Sequence, residues 1–240
     1  MRKFILILFC LMCGNVFASA EISIGTLYDY MSGQQSTYLK RVRNQGDATA
    51  FVKVAIHEIT YDGDGMPQES PELTEGNRAL VASPSRLIIP ASGVQATRFL
   101  FMGDRDKERY FRVRFIPVLP RAEDGFDIDA GTIQKEQQQV SAGVNILTGF
   151  GSILFVMPRK SHFDTQIIED EKMTTIINKG NTTLILDFFE ECNGRKTNCS
   201  SPTKIHLLPN MKKQLMKKSD RLYRFVLIEG DKSRNMVIGH

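Results

Sequence analysis

The stretch VASPSRLIIPASGVQATRFLF (residues 81–101), with RYFRVRFIPVLP (residues 109–120) just beyond it, decides the fold class of this chain. Pro84 and Pro90 bracket Ser85, Arg86, Leu87, Ile88 and Ile89, and Ala91, Ser92 and Gly93 then turn the chain into the run 94–101. Proline has no N–H to give to a ladder, so in sheets it belongs at edges and turns; here it punctuates strands and does not interrupt them. Working outward, Phe51, Val52, Val54, Ile56 and Ile59 mark another strand, and runs 86–89, 94–101 and 110–118 follow with turn residues between them. Short strands at this spacing predict an antiparallel sandwich, an all-β fold.

A polar stretch, 121–139, is expected to be a mobile loop. After Pro158, Arg159 and Lys160 the strand pattern restarts at 173–177, turns at Asn178, Lys179, Gly180 and Asn181, and continues at 182–189, 204–208, 214–217, 223–228 and 235–238. This predicts a second, smaller sandwich, with the boundary near Pro158.

The first twenty residues stand apart. Arg2 and Lys3 precede the apolar run 4–12, and Ala18, Ser19 and Ala20 make a small-residue cleavage site, so residues 1–20 read as a signal peptide. No later stretch reaches the roughly 20 apolar residues that a spanning helix needs, so the mature protein is expected to be exported and soluble. Cys13 lacks a convincing lipobox, which argues against a lipoprotein. Loss of Arg2 and Lys3 lowers the formal net charge from +4 to +2, too little to single out a charged partner.

Cleavage also removes Cys10 and Cys13 and leaves Cys192 and Cys199. In an oxidising compartment that pair suits a hairpin-tip disulfide, contributing about 2–3 kcal/mol on the chain-entropy model. A metal site is the competing reading, but two cysteines with no histidine nearby make an incomplete shell.

The order Ser83-Pro84-Ser85-Arg86-Leu87-Ile88-Ile89-Pro90, then Gln95 to Phe99, then Tyr110 to Pro117 resembles the periplasmic assembly chaperones of the chaperone-usher pathway, with their alternate branch the nearer match. The resemblance implies two immunoglobulin-like β-sandwich domains at an angle, here 21–158 and 159–240. It also implies a periplasmic location, pilin or fimbrial subunits and an outer-membrane usher as partners, and no cofactor. In these chaperones the last strand of the first domain lends its alternating side chains to a subunit that lacks its own final strand.

Segment 139–158 carries that pattern. Val140, Ala142, Val144, Ile146, Thr148 and Phe150 share one parity, whereas Ser141, Gly143 and Asn145 on the other are small or polar. An ordinary half-buried strand shows the same alternation. The resemblance selects Ala142, Val144, Ile146 and Phe150 as donor residues, by their spacing to Pro158.

The family also holds the subunit's C-terminal carboxylate with an arginine on the first strand and a lysine on the last strand of the first domain. Counting places those positions near Leu27 and Ile153, and neither is basic. Arg112, Arg114 and Arg159 are the candidate replacements, since a guanidinium can hold a carboxylate bidentately. Each also has an ordinary structural reading.

Enzyme motifs are missing: there is no nucleophile elbow, phosphate loop or His-x-x-x-His pair, and His57, His162, His206 and His240 are scattered. Asp62-Gly63-Asp64-Gly65 opens like a calcium loop, but its twelfth position is Leu73 where glutamate is required, so it reads as a hairpin turn. Lys212, Lys213, Lys217 and Lys218 read as a solvated face, and nucleic acid does not suit an exported protein. The alternative function is an exported β-sandwich fimbrial subunit or adhesin, but 21–26 is too short for that class's donor extension. An apolar donor edge would also invite self-association of the free chaperone.

Overall fold

The computed structural model describes residues 19–62, 65–71, 78–140, 147–193, 198–218 and 220–239. The first sandwich faces two sheets across one core. One sheet has the order β1 (Ile22–Ser23), β3 (Thr37–Asn44), β8 (Val94–Phe101), β6 (Leu80–Ser83). The other runs β2 (Tyr28–Met31), β10 (Phe150–Val156), β9 (Arg109–Val118), β4 (Ala50–Tyr61), β5 (Pro67–Glu69), and β7 (Arg86–Ile89) also pairs with β4. Period-2 alternation aims Phe99 and Phe101 from one sheet at Phe111 and Phe115 from the other, and all four are buried. Each such side chain contributes about 2–3 kcal/mol of burial.

The second sandwich packs β11 (Thr165–Glu169), β12 (Met173–Asn178) and β15 (Lys212–Met216) against a sheet of order β14 (Thr203–Leu207), β13 (Leu184–Asn193), β16 (Arg221–Glu229), β17 (Lys232–Gly239). Its core is separate, built around Ile176, Leu184, Leu186, Phe225 and Leu227. The architecture is therefore the expected two-sandwich, all-β one. Gly180 shows why the turn after β12 needs glycine: a Cβ there would lie 2.3 Å from the His162 carbonyl oxygen.

Two expectations are corrected. The stretch 121–139 is not a loop throughout: a 3-10 turn, Ala122–Asp124, leads to helix α1 (Ala130–Val140). Asp129 caps the helix, its Oδ1 accepting the Thr132 N–H at 2.9 Å, and the glutamine run that follows is good helix former. Asp124 anchors the turn by pairing with Lys53, while Phe126 stands edge-on to Phe51. As a consequence Gln139 and Val140 close α1, and the strand expected from residue 139 begins at Phe150. Ala142, Val144 and Ile146 lie outside the described residues, as does nearly all of the segment 1–20.

Tyr61 pairs with Pro67, and the Asp62 N–H donates to the Met66 carbonyl at 3.2 Å, the hairpin expected at that turn. Cys192 and Cys199 are disulfide-bonded and bridge as antiparallel neighbours. Glu190 has an oxygen near both sulfurs, but the sulfurs are bonded to each other and are not thiolate ligands. Thiol labelling of unreduced, denatured mature protein should therefore modify neither cysteine; labelling of both would reject the bridge.

Candidate functional site

The strand β10 carries the site. It runs antiparallel to β9 over its whole length, Phe150 opposite Phe115 and Val156 opposite Arg109. On its other side it runs parallel to β2, but only from Ile153, opposite Tyr28, to Val156, opposite Met31. The Ile153 N–H adds a bond to the Leu27 carbonyl at 2.8 Å. Among the described residues no strand covers that side of residues 150–152. An edge left open in this way accepts an added strand. Leu154 and Val156 point into the first core with Ser152, and Phe150, on the same parity, is half-buried against that core.

The two positions where a basic pair was expected, Leu27 and Ile153, do adjoin each other across the β2/β10 ladder. Arg112 is the partner of Ile153 on β9, and Arg114 that of Gly151. Both arginines line an open cleft of about 430 Å³ with Glu69, Phe115, Phe150 and Gly151. Arg159 does not join them. It is exposed beyond the other end of β10, its N–H donating to the Arg105 carbonyl at 3.0 Å.

One carboxylate already bridges the pair. Glu69 accepts from Arg112 Nε at 3.1 Å through Oε1 and from Arg114 at 2.6 Å through Oε2. Burial would raise the Glu69 pKa, but the hydrogen bonds from Arg114 and Arg112 and their charges hold it below the usual carboxylate range. Composition gives no signal for Glu69; only the β4/β5 register places it there.

The outward face of the same sheet meets the second sandwich through aromatic rings. His206 stacks on Phe155 at 4.7 Å and tilts against Tyr28 at 4.3 Å. Its Nε2 lies 2.7 Å from the Tyr30 hydroxyl. Burial, with help from Lys204, pushes the imidazole down to about 4, and burial also pushes the Tyr30 hydroxyl well above its ordinary value. At neutral pH the imidazole is therefore uncharged, and its tautomer sets which of the two groups donates.

Glu108, on the turn before β9, clamps the two sandwiches together. Its Oε2 accepts from the Thr183 N–H at 2.9 Å, the Thr183 hydroxyl at 2.5 Å and the Tyr110 hydroxyl at 2.9 Å. Its Oε1 is buried without a partner among the described residues. Burial outweighs those hydrogen bonds and pushes the carboxyl up to about 7. The folded value is above the unfolded one, so this contribution to stability is complete below about pH 4.5 and is lost as pH rises through 7. Glu108→Gln keeps an acceptor and removes the titration. Between pH 4.5 and 8 its stability should gain roughly 3 kcal/mol on the unmodified protein. Parallel denaturation curves at those two pH values check this; a constant gap would mean that Glu108 does not titrate in this range.

Sequence reasoning also passed over Asp29 and Lys40. Lys40 Nζ contacts Asp29 Oδ2 at 2.7 Å and Oδ1 at 3.0 Å, and both side chains are buried. The Thr26 carbonyl accepts a further bond from Lys40 at 2.6 Å, while the Thr26 and Tyr38 hydroxyls donate to Asp29 at 2.8 Å. This pair ties β2, the partial cover of β10, to β3 in the opposite sheet.

No family model matches the chain. It is 25% identical over 238 residues to the probable fimbrial chaperone EcpB of Escherichia coli, covering 97% of this chain and 98% of that one. Among solved structures it is similar to the class 5 fimbriae chaperone CfaA, with a TM-score of 0.58, 16% identity and coverage of 90% and 98%. It is also similar to a chain of the CsuC-CsuE chaperone and tip adhesion subunit pre-assembly complex from the archaic chaperone-usher Csu pili of Acinetobacter baumannii, with a TM-score of 0.53, 13% identity and coverage of 92% and 99%. The solved structures establish the fold, a two-domain β-sandwich. The resemblance read from residues 83–117 thus extends along nearly the whole chain, whose curated relatives are named fimbrial chaperones.

Proposed function

We propose that this protein is a periplasmic chaperone of fimbrial assembly. It lends a strand to incomplete β-sandwich subunits, stabilises them, and passes them to an outer-membrane usher without catalysis or a cofactor. The observation that carries this reading is the side of β10 at residues 150–152 that no strand covers among the described residues, beside a cleft containing two arginines. A subunit lacking its last strand exposes an apolar groove and unpaired backbone groups, and an added strand satisfies both at once. The domains then divide as 21–158 and 159–240, with 1–20 removed on export.

In this reading Ala142, Val144, Ile146 and Phe150 fill the subunit's groove. Arg112 and Arg114 take its terminal carboxylate in place of the basic pair missing at Leu27 and Ile153. Arg159 is left out of the anchor because it shares no cleft with them. Co-expression of the mature protein with a neighbouring fimbrial subunit should yield a one-to-one complex, and failure to co-purify would reject the chaperone reading. Arg112→Ala or Arg114→Ala should weaken capture by about 2–5 kcal/mol while leaving the melting temperature of the free protein nearly unchanged. Unchanged capture in both variants would place the carboxylate elsewhere.

A further inference from the structure

The arginine pair is already engaged, and what engages it is a carboxylate of the chain itself. Glu69 belongs to the three-residue edge strand β5, all of it exposed. The strand end is fixed by Ser70: its Oγ accepts the Glu58 N–H at 3.0 Å, its N–H donates to the Glu58 carbonyl at 2.9 Å, and its carbonyl lies 3.0 Å from His57 Nδ1. So fixed, Glu69 lies opposite Ile59, two β4 residues along from the row His57, Arg112, Ile153, Tyr28, with which it shares the outward face. It holds both guanidinium groups by hydrogen bonds in the cleft that Phe150 and Gly151 of β10 also line. Two arginines and one glutamate leave a formal charge of +1, and no other carboxylate bonds to either arginine among the described residues.

We infer that Glu69 is a built-in stand-in for the carboxylate that Arg112 and Arg114 take from a bound subunit, so that the site yields only to a carboxylate delivered by a chain already docked on β10. This rests on the carboxylate reading given under Proposed function. The physical reason is effective concentration. An intramolecular carboxylate outcompetes a small free acid at millimolar levels, whereas the C-terminus of a subunit held on the donor strand is itself intramolecular and competes on equal terms. Releasing Glu69 returns it to water at the exposed edge and leaves both guanidinium groups free for the incoming carboxylate. Glu69 then sets specificity: two conditions, a groove for the strand and a terminus in reach, must be met together.

The test uses acetate as probe, with acetamide as the uncharged isostere and chloride to match ionic strength. The reporter is the Nε–H resonances of Arg112 and Arg114 in nitrogen-labelled mature protein, assigned with R112A and R114A. Expected is saturable acetate binding at this pair in E69Q and E69A, about tenfold or more tighter than in the unmodified protein, and no response to acetamide. Melting curves should show both variants folded, since β5 is an exposed edge, and two replacements keep the test open if one of them is not. Equal acetate affinity in all three proteins would overturn the stand-in role of Glu69 while leaving the arginine anchor in place. No acetate response at Arg112 or Arg114 in any of them would overturn the anchor reading, and this inference with it.

Discussion

Asp29→Ala should cost the first sandwich about 3–5 kcal/mol, because it strands the Lys40 ammonium in a buried site without its counter-charge. Lys40 is 4% exposed and Asp29 1%, so water cannot take over the lost contacts. The remaining acceptors are the Thr26 carbonyl and hydroxyl, which carry no formal charge. A loss that size is a large part of the stability of an ordinary domain. Replacing both residues, Asp29→Leu with Lys40→Met, should recover part of it, since no buried charge is left unpaired, while the Thr26 and Tyr38 hydroxyls and the Thr26 carbonyl lose these partners. The chain has no tryptophan, so urea unfolding is best followed by circular dichroism. If the double replacement cost as much as the two single ones added together, the pair would not be coupled and Lys40 would be stabilised by Thr26 alone.

The ion pair also shows where the sequence was legible and where it was not. In β3 the even positions Tyr38, Val42 and Asn44 share a face, and Lys40 falls on it, so strand parity alone puts a lysine inside. Its partner was harder to see: Asp29 stands between two tyrosines in a four-residue strand too short to show alternation. The proline-bracketed strands β7, β8 and β9 were readable because punctuation and alternation agreed. Helix α1 was not, because its glutamines and glutamate give no apolar face, and only the Asp129 cap with Thr132 marks its start. The candidate site divides in the same way. Arg112 and Arg114 could be picked out as cations in a recognisable strand. The contacts of Glu69 and Glu108 depend on which strands and sandwiches become neighbours, and no local pattern encodes that.

The donor strand makes the sharpest demand. Val144→Asp or Ile146→Asp in the mature protein should reduce subunit capture by more than about a hundredfold, since each would carry an uncompensated charge into the subunit's apolar groove. Asn145→Asp, one position along, should be tolerated, because side chains on a strand alternate between faces. The described part of β10 sets the parity: Ser152, Leu154 and Val156 face inward, so positions 144 and 146 fall on that side if the strand is prolonged on binding. The antiparallel partner β9 ends at Val118. A strand prolonged beyond it would leave its inward face to the subunit and not to the chaperone's own core. Phe150 is the less clean site for this test, because it packs against the first core and its replacement would disturb the fold as well as capture. Each variant therefore needs a melting curve of the free protein beside a pull-down with the subunit. Capture lost at positions 144 and 146 with the melting temperature kept, and retained at 145, is the expected result. Equal loss at all three positions, or loss that follows unfolding, would return this segment to the role of an ordinary last strand of a sandwich.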